Sequence, residues 1–139
     1  MNNPREIDKI AFIEIQEGKI LSTKSKGKTK YYIPGGKRES GETDEQTLIR
    51  EISEELSVDI FPNTAEYVGT FSAQSDGAKK GITVIMTCYK ALYSGNLKAN
   101  NEIEEIKWLN YNDLEIVSEV DKKIFSFLNE KGKLKQQVK

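Results

Sequence analysis

Three glutamates stand within five residues of this chain, at Glu51, Glu54 and Glu55, directly after Arg50. On a helix these spacings place like charges next to one another, and each such pair costs about 0.2–0.5 kcal/mol. A bound cation would reverse that cost, and carboxylate oxygens are the ligands that hard divalent cations prefer. The alternative interpretation is a solvated acidic helix face, which is the usual meaning of a run of charges.

The residues before the glutamates predict the helix that carries them. Thr43 is expected to cap a helix that runs to about Leu56, with Gln46 completing a capping box. The apolar positions at helical spacing are Leu48, Ile49, Ile52 and Leu56. At about 100° per residue the glutamates fall on a different face from this apolar stripe. The Pro-Gly-Gly segment at 34–36 adds a loop whose backbone a partner can approach closely.

Together these residues form a longer pattern with fixed offsets. Its members are Gly36, Glu42, Arg50, Glu51, Ile52, Glu54, Glu55 and Val58. The pattern resembles the Nudix box, the signature of the Nudix (MutT-like) hydrolases, and the order of the surrounding elements extends the resemblance over most of the chain. One position departs, because Ser57 stands where the family has a glycine. A glycine there ends the helix with a positive φ, a geometry that serine tolerates less well.

The resemblance implies a Mg²⁺-dependent pyrophosphohydrolase, with Mn²⁺ as a substitute, that cleaves a phosphoric anhydride by attack of water at phosphorus. The implied substrate is of the nucleoside di- or triphosphate type, a nucleoside diphosphate linked to another moiety. The implied metal ligands are the Gly36 carbonyl and the side chains of Glu51, Glu54 and Glu55. In the family the position of Glu51 is often assigned as the general base and that of Glu55 as the firmest ligand. Arg50 is expected to hold the carboxylates in place by pairing with Glu42 or Glu54.

Some related enzymes use a further glutamate shortly before a strand that contains tryptophan. The candidates before Trp108 are Glu102, Glu104 and Glu105, and counting back from the tryptophan favours Glu102 as a ligand or base. A solvated acidic loop is the alternative for all three. The candidate catalytic residues are therefore Arg50, Glu51, Glu54, Glu55 and Glu102.

A basic loop precedes the Pro-Gly-Gly segment, with four lysines at alternating positions from Lys24 to Lys30. Such a run is usually a solvated loop, and the functional alternative is a rim that attracts polyphosphate, since lysine binds phosphate as a point charge. Lys30 and Lys37 are the candidate contacts to a substrate phosphate.

The order of the predicted elements indicates an α/β fold, a mixed sheet with helices on its faces, which is also the α/β/α architecture that the Nudix resemblance implies. Besides the helix after Thr43, the predicted elements are strands at 7–15, from 19, at 31–33, 67–73, 82–92 and 106–109, and a closing helix over 117–128. Pro34 and the two glycines are expected to break the strand at 31–33. Residues 1–139 are expected to form one domain, with 131–139 a frayed basic tail.

Composition narrows the function classes. The 21 basic and 22 acidic residues give a net charge of −1, so a small-molecule nucleotide is expected rather than a polymeric nucleic acid. No apolar run approaches the ~18 residues of a membrane span. A single cysteine, Cys88, fits a reducing cytoplasm and is expected to lie buried in a strand. The absence of histidine removes Ser-His-Asp and Cys-His catalysis.

Two function classes remain open, a hydrolase and a non-catalytic Nudix module that senses a ligand. The silent module would be expected to lose glutamates from the box, and here every one is present, which favours the enzyme. Ser118 stands where MutT-like enzymes place a polar purine-reading residue, but serine is a weaker reader than asparagine.

Overall fold

The computed structural model describes residues 5–75 and 81–135. In chain order its elements are β1 (Glu6–Phe12), β2 (Ile15–Gln16), β3 (Lys19–Ser25), β4 (Gly35–Lys37), α1 (Asp44–Leu56), β5 (Asp59–Ile60), β6 (Glu66–Gln74), β7 (Thr83–Lys90), β8 (Tyr93–Ser94), β9 (Ile103–Leu109), a 3-10 helix (Tyr111–Ile116) and α2 (Glu119–Glu130). No helix within the described ranges is long and apolar enough to cross a membrane.

The larger sheet is mixed, as the sequence predicted. Its four strands lie in the order β4-β1-β7-β6, with β1 parallel to β7 and antiparallel to β4. A second, three-stranded sheet has the order β2-β3-β9, and β5 pairs with β8. Helix α1 packs against β1, β4 and β5, whereas α2 packs against β6 and β7. The predicted α/β class, with helices covering the sheet, is confirmed.

The C-terminal half of strand β1 is buried on both of its faces. Ile10 and Phe12 belong to the hydrophobic core under α1. Ala11, between them, and Ile13, directly after the strand, belong to the core under α2. Because successive side chains of a strand point to opposite faces, β1 supplies both cores at once. Its place in the sheet therefore fixes the two helices relative to each other.

Helix α1 begins as its sequence predicts. Thr43 is the N-cap, and its hydroxyl accepts a hydrogen bond of 3.1 Å from the backbone N–H of Gln46. The Gln46 side chain in turn accepts one of 2.9 Å from the N–H of Thr43. Both halves of the capping box are formed, and a cap of this kind stabilises a helix by about 1 kcal/mol.

The predicted strand at 31–33, with its break at Pro34, is wrong. Tyr31 and Tyr32 form isolated bridges, and the strand comes later, at Gly35–Lys37, paired with β1. Gly35 has φ 144°, and a Cβ there would collide with the carbonyl oxygen of Ile10. The glycines therefore permit this pairing instead of ending it. The strand forms at 35–37 because this segment pairs with β1, which is distant in the sequence. Local sequence signals do not report such pairing.

The C-terminal region is more ordered than predicted. Helix α2 begins at Glu119 after the 3-10 helix, with Ser118 as its N-cap. Beyond it, Leu134 is 6% exposed and the N–H of Lys135 donates to the carbonyl of Gly18. Fraying from residue 131 is therefore wrong for 131–135, because a buried leucine ties this segment to the turn after β2. Residues 136–139 lie outside the described part of the chain.

Ser57 ends α1 in the left-handed region, with φ 61° and ψ 28°, and its N–H donates to the carbonyl of Ser53. This is the geometry expected where the family has glycine. An L-residue with a side chain is strained in this region, whereas glycine is not.

We therefore expect Ser57→Gly to stabilise the fold by about 0.5–1 kcal/mol, measured as the free energy of unfolding in urea. Ser53→Gly is the matched control, since Ser53 is exposed in the interior of the same helix. That change is expected to destabilise by a similar amount. A Ser57→Gly variant no more stable than the wild type would show that the left-handed serine carries no strain.

Candidate active site

A cavity of about 400 Å³, the central cavity, is lined by residues of both larger sheets, α1 and the start of α2. Its charged lining residues are Lys9, Lys28, Lys37, Glu51, Glu55 and Glu102. Gly35 and Gly36 line it beside the glutamates, and Ile33, Val84, Met86 and Val120 form an apolar part. A cavity of this size and mixed lining is typical of small-molecule sites.

Arg50 organises the carboxylates at one end of this cavity. Its Nε and Nη2 donate to the two oxygens of Glu42, at 2.6 and 2.9 Å. Its Nη1 donates to Glu51 at 3.1 Å, and its Nη2 also donates to the backbone carbonyl of Lys37 at 3.0 Å. The expected pairing of Arg50 with Glu42 is present, and Glu54 lies 3.6 Å from Nη1. Such a fork fixes geometry as well as charge.

Glu42 is held as an anion by several donors. Besides Arg50, the Thr47 hydroxyl and the backbone N–H of Glu39 donate to its Oε1, each at 2.9 Å. These hydrogen bonds, that of Arg50 first, lower the pKa of Glu42 to about 2. Its oxygens are committed to organising the loop before α1, so Glu42 is a support for the site.

Glu55, in contrast to Glu42, is buried and has few hydrogen-bond donors. Its side chain is nearly buried, with the residue 7% exposed, and it accepts one hydrogen bond of 3.2 Å, from the N–H of Gly35. Burial, followed by the charges of Glu51 and Glu102, raises the pKa of Glu55 to about 8. Burial also raises the pKa of Glu51, against the opposing effect of Arg50. A dication placed beside these carboxylates would favour their charged forms.

Gly36 is required for the approach of Glu51. A Cβ at position 36 would fall on the Glu51 carboxylate, so only glycine lets the β4 backbone and this side chain lie together. The structure therefore brings together Gly36, Glu51 and Glu55 of the predicted metal ligands. Glu54 does not line the cavity, and its side chain is 49% exposed.

The donors present fit a hard cation that keeps part of its water shell. Across residues 5–75 and 81–135, no three acidic, histidine or cysteine side chains are gathered closely enough to enclose a metal ion. Mg²⁺ does not need such a cage, because it usually binds one or two carboxylates together with waters and substrate phosphates. Glu51 and Glu55 supply these carboxylates in a cavity with room for a ligand.

Among the three glutamates before Trp108, only Glu102 lines the cavity. Glu104 pairs with Lys24 at 2.7 Å, and Glu105 accepts a hydrogen bond of 2.8 Å from the Tyr31 hydroxyl. The turn that carries Glu102 is tied to the end of α1, since the Asn101 side chain donates to the Glu54 carbonyl at 3.0 Å. The favoured candidate is thus the one placed beside Glu51 and Glu55.

The basic residues of the cavity differ in part from those predicted. Lys37 lines it as expected and Lys28 joins it, whereas Lys30 is not part of the lining. Sequence reasoning missed Lys9, which lies on β1 between Ile7 and Ala11. The available signal was a lysine at an inward position of an otherwise apolar strand pattern.

Ser118 and Cys88 have structural explanations. Ser118 lines the cavity, but its hydroxyl accepts the Asp121 N–H at 3.3 Å as the cap of α2. Cys88 is fully buried in β7, as predicted, and burial raises the pKa of its thiol to about 12. A thiol in that state is not a nucleophile.

The sequence matches the NUDIX domain family model over residues 6–128, and the chain belongs to the Nudix family. An ADP-ribose pyrophosphatase of Methanocaldococcus jannaschii is 30% identical over 102 residues, which span 71% of this chain and 59% of that protein. The chain thus covers less than two thirds of this curated relative. The predicted family is confirmed.

Solved structures with the same fold come from several organisms. The solution structure of the E. coli ORF135 protein superposes with a TM-score of 0.71 at 24% identity, covering 91% of each chain. The crystal structure of a MutT protein from Methanosarcina mazei Go1 gives 0.72 at 18% identity, covering 91% of this chain and 95% of that one. These similarities establish the fold.

The lowered pKa of Glu42 predicts how stability depends on pH. A carboxylate whose folded-state pKa lies below its ordinary value of 4.5, at about 2, stabilises the fold above pH 4.5 and loses this effect as pH falls to about 2. Glu42→Gln should therefore be less stable than the wild type at pH 7, and the difference should shrink between about pH 4.5 and 2.

Urea unfolding across this pH range measures the difference. Glu39→Gln is the control, because the Glu39 carboxylate is 69% exposed and lies 3.6 Å from the same guanidinium. It is expected to show a much smaller pH-dependent difference. An equal effect of both substitutions would mean that the fork between Arg50 and Glu42 has no special role.

Proposed function

We propose that this chain is a Mg²⁺-dependent pyrophosphohydrolase that cleaves the phosphoric anhydride of a nucleoside diphosphate linked to another moiety. The observation that carries the proposal is the buried Glu55 carboxylate, which opens into the cavity beside Glu51 and Gly36 with a single hydrogen bond. A buried carboxylate is costly to ionise without a cation. The geometry thus favours a site completed by a divalent ion and its ligand.

The residues in this site have distinct roles. The Gly35 N–H orients Glu55, and Arg50 orients Glu51 while its own charge is shared with Glu42. Glu51 and Glu55, with the Gly36 carbonyl, would hold the metal, and Glu54 and Glu102 are the further carboxylates available nearby. When bound, Mg²⁺ supplies neutralisation of phosphoryl oxygens and acidification of water. A glutamate left free of direct coordination can accept the proton of the attacking water.

Nucleotides with a phosphoric anhydride are the proposed substrates for two reasons. The related ADP-ribose pyrophosphatase acts, by its name, on the pyrophosphate of a nucleoside diphosphate linked to a sugar. The cavity also joins a charged end, with glutamates and lysines, to an apolar end that includes Val84 and Met86. A phosphate chain fits the first end and a base or sugar the second. A cytoplasmic location, inferred from the single cysteine, belongs to the same proposal.

Glu55→Gln tests the metal site with a nearly isosteric change. We expect kcat to fall by at least about a hundredfold, because an uncharged amide loses the attraction to a dication that is worth several kcal/mol in the transition state. Steady-state hydrolysis of a nucleotide panel at saturating Mg²⁺ measures this, and circular dichroism checks the fold. Glu45→Gln, on the same helix but outside the cavity lining, is the control with near-normal turnover.

Near-normal turnover of Glu55→Gln would remove this residue from the ligand set. The ligand-sensing alternative predicts a different result. In that case the wild-type chain would bind a nucleotide in the presence of Mg²⁺ and release no product from any member of the panel.

The position of attack provides a separate test. Because metal ions bound to phosphoryl oxygens activate phosphorus, hydrolysis in ¹⁸O-water is expected to label a phosphate-containing product. A nucleoside triphosphate should yield a monophosphate and pyrophosphate, identified by mass spectrometry. Label found solely in a sugar hydroxyl would contradict attack at phosphorus, and release of orthophosphate would contradict the cleavage position.

A further inference from the structure

Lys9 places a positive charge in the interior of the mixed sheet. It lies on β1 with Met86 of β7 on one side and Lys37 of β4 directly opposite on the other. Its neighbours on the same face, Ile7 and Ala11, contribute to the core under α2. Lys9 itself is half-buried, and it lines the central cavity together with Lys37.

This arrangement is unfavourable for folding. Like charges directly opposite each other on paired strands repel, and a half-buried ammonium also loses hydration. Within residues 5–75 and 81–135, neither Lys9 nor Lys37 forms an ion pair with a carboxylate. A through-space attraction links Lys9 to Glu55. An anionic ligand in the cavity would satisfy both ammonium groups.

The charges of the cavity indicate that this ligand is anionic. Three lysines and three glutamates line it, so their formal charges cancel. Each divalent ion at the glutamates would then leave an excess of two positive charges for the ligand to neutralise. Near neutral pH a nucleoside triphosphate carries about four negative charges, and a nucleoside diphosphate linked to a neutral sugar carries about two. With one divalent ion bound, the excess of two positive charges matches the diphosphate, and a second ion is needed to match the triphosphate. The count therefore calls for an anionic phosphate chain in the cavity and does not select between the two substrate classes.

We propose that Lys9 is a substrate-binding residue that, together with Lys37, holds the phosphate chain of the substrate against the glutamate side of the cavity. The inference rests on the proposed function and adds one binding residue, Lys9, to it. Lysine suits the task because its ammonium offers three donors that adapt to several phosphoryl oxygens.

Binding of inorganic tripolyphosphate in the presence of Mg²⁺, followed by isothermal titration calorimetry, tests the lysine pair without turnover. Lys9→Gln is expected to weaken binding by at least about tenfold, the size expected for one charge-assisted hydrogen bond. Lys9→Arg should retain most of the affinity. Lys19→Gln, an exposed lysine at the start of β3 outside the cavity lining, should leave it unchanged. Because a repulsion is removed, Lys9→Gln should unfold at a urea concentration no lower than the wild type does.

Catalysis tests the same contact. For the nucleotide that the wild type hydrolyses best, the kcat/KM of Lys9→Gln should fall at least about tenfold, mainly through a higher KM, and Lys9→Arg should restore most of it. Unchanged tripolyphosphate binding, or a loss of kcat/KM that Lys9→Arg does not restore, would overturn the inference. Binding that depends on Lys9 in a chain that hydrolyses nothing would support the lysine pair while overturning the hydrolase proposal, so the two failures are distinguishable.

Discussion

The guanidinium of Arg50 is the interaction on which the geometry of the site depends. It joins the Glu42 loop, the β4 carbonyl of Lys37 and the Glu51 carboxylate, which come from three separate segments. Without it, carboxylates crowded along one end of α1 would repel one another and separate. The guanidinium offsets this repulsion and holds the carboxylates in fixed positions, because one planar cation donates hydrogen bonds to several acceptors in set directions. The hydrogen bond to the Lys37 carbonyl also links β4 to α1 at one wall of the cavity.

The same framework explains why two glutamates a few turns apart have opposite properties. Glu42 is surrounded by donors, and its pKa falls to about 2, whereas Glu55 is buried with one donor and its pKa rises to about 8. The first is neutralised by the protein itself, and the second is left for an external cation. A folded chain that compensated Glu55 as fully as Glu42 would be more stable and would have less affinity for a metal.

Local sequence signals correctly predicted those features of the fold that depend on contacts between residues close in the chain. The capping box of Thr43 and Gln46 and the span of α1 depend on residues within one or two helical turns, and both are present. The position of β4 was missed because it depends on pairing with β1, which lies more than twenty residues away in the chain. The packed segment at Leu134 was missed for the same reason, since its partner is the turn at Gly18.

The residues of the candidate site show the same difference between local and long-range contacts. The box glutamates could be named from spacing, but whether each one faces the cavity depends on how α1 meets β4, and this separates Glu55 from Glu54. Lys9 belongs to no sequence motif, and its place in the site depends on the strand register that sets it opposite Lys37. A charged residue among the apolar residues of one strand face is a conflict between the local pattern and the fold. Such conflicts persist where a ligand resolves them, so they indicate a binding site more directly than a charge run on an exposed surface does.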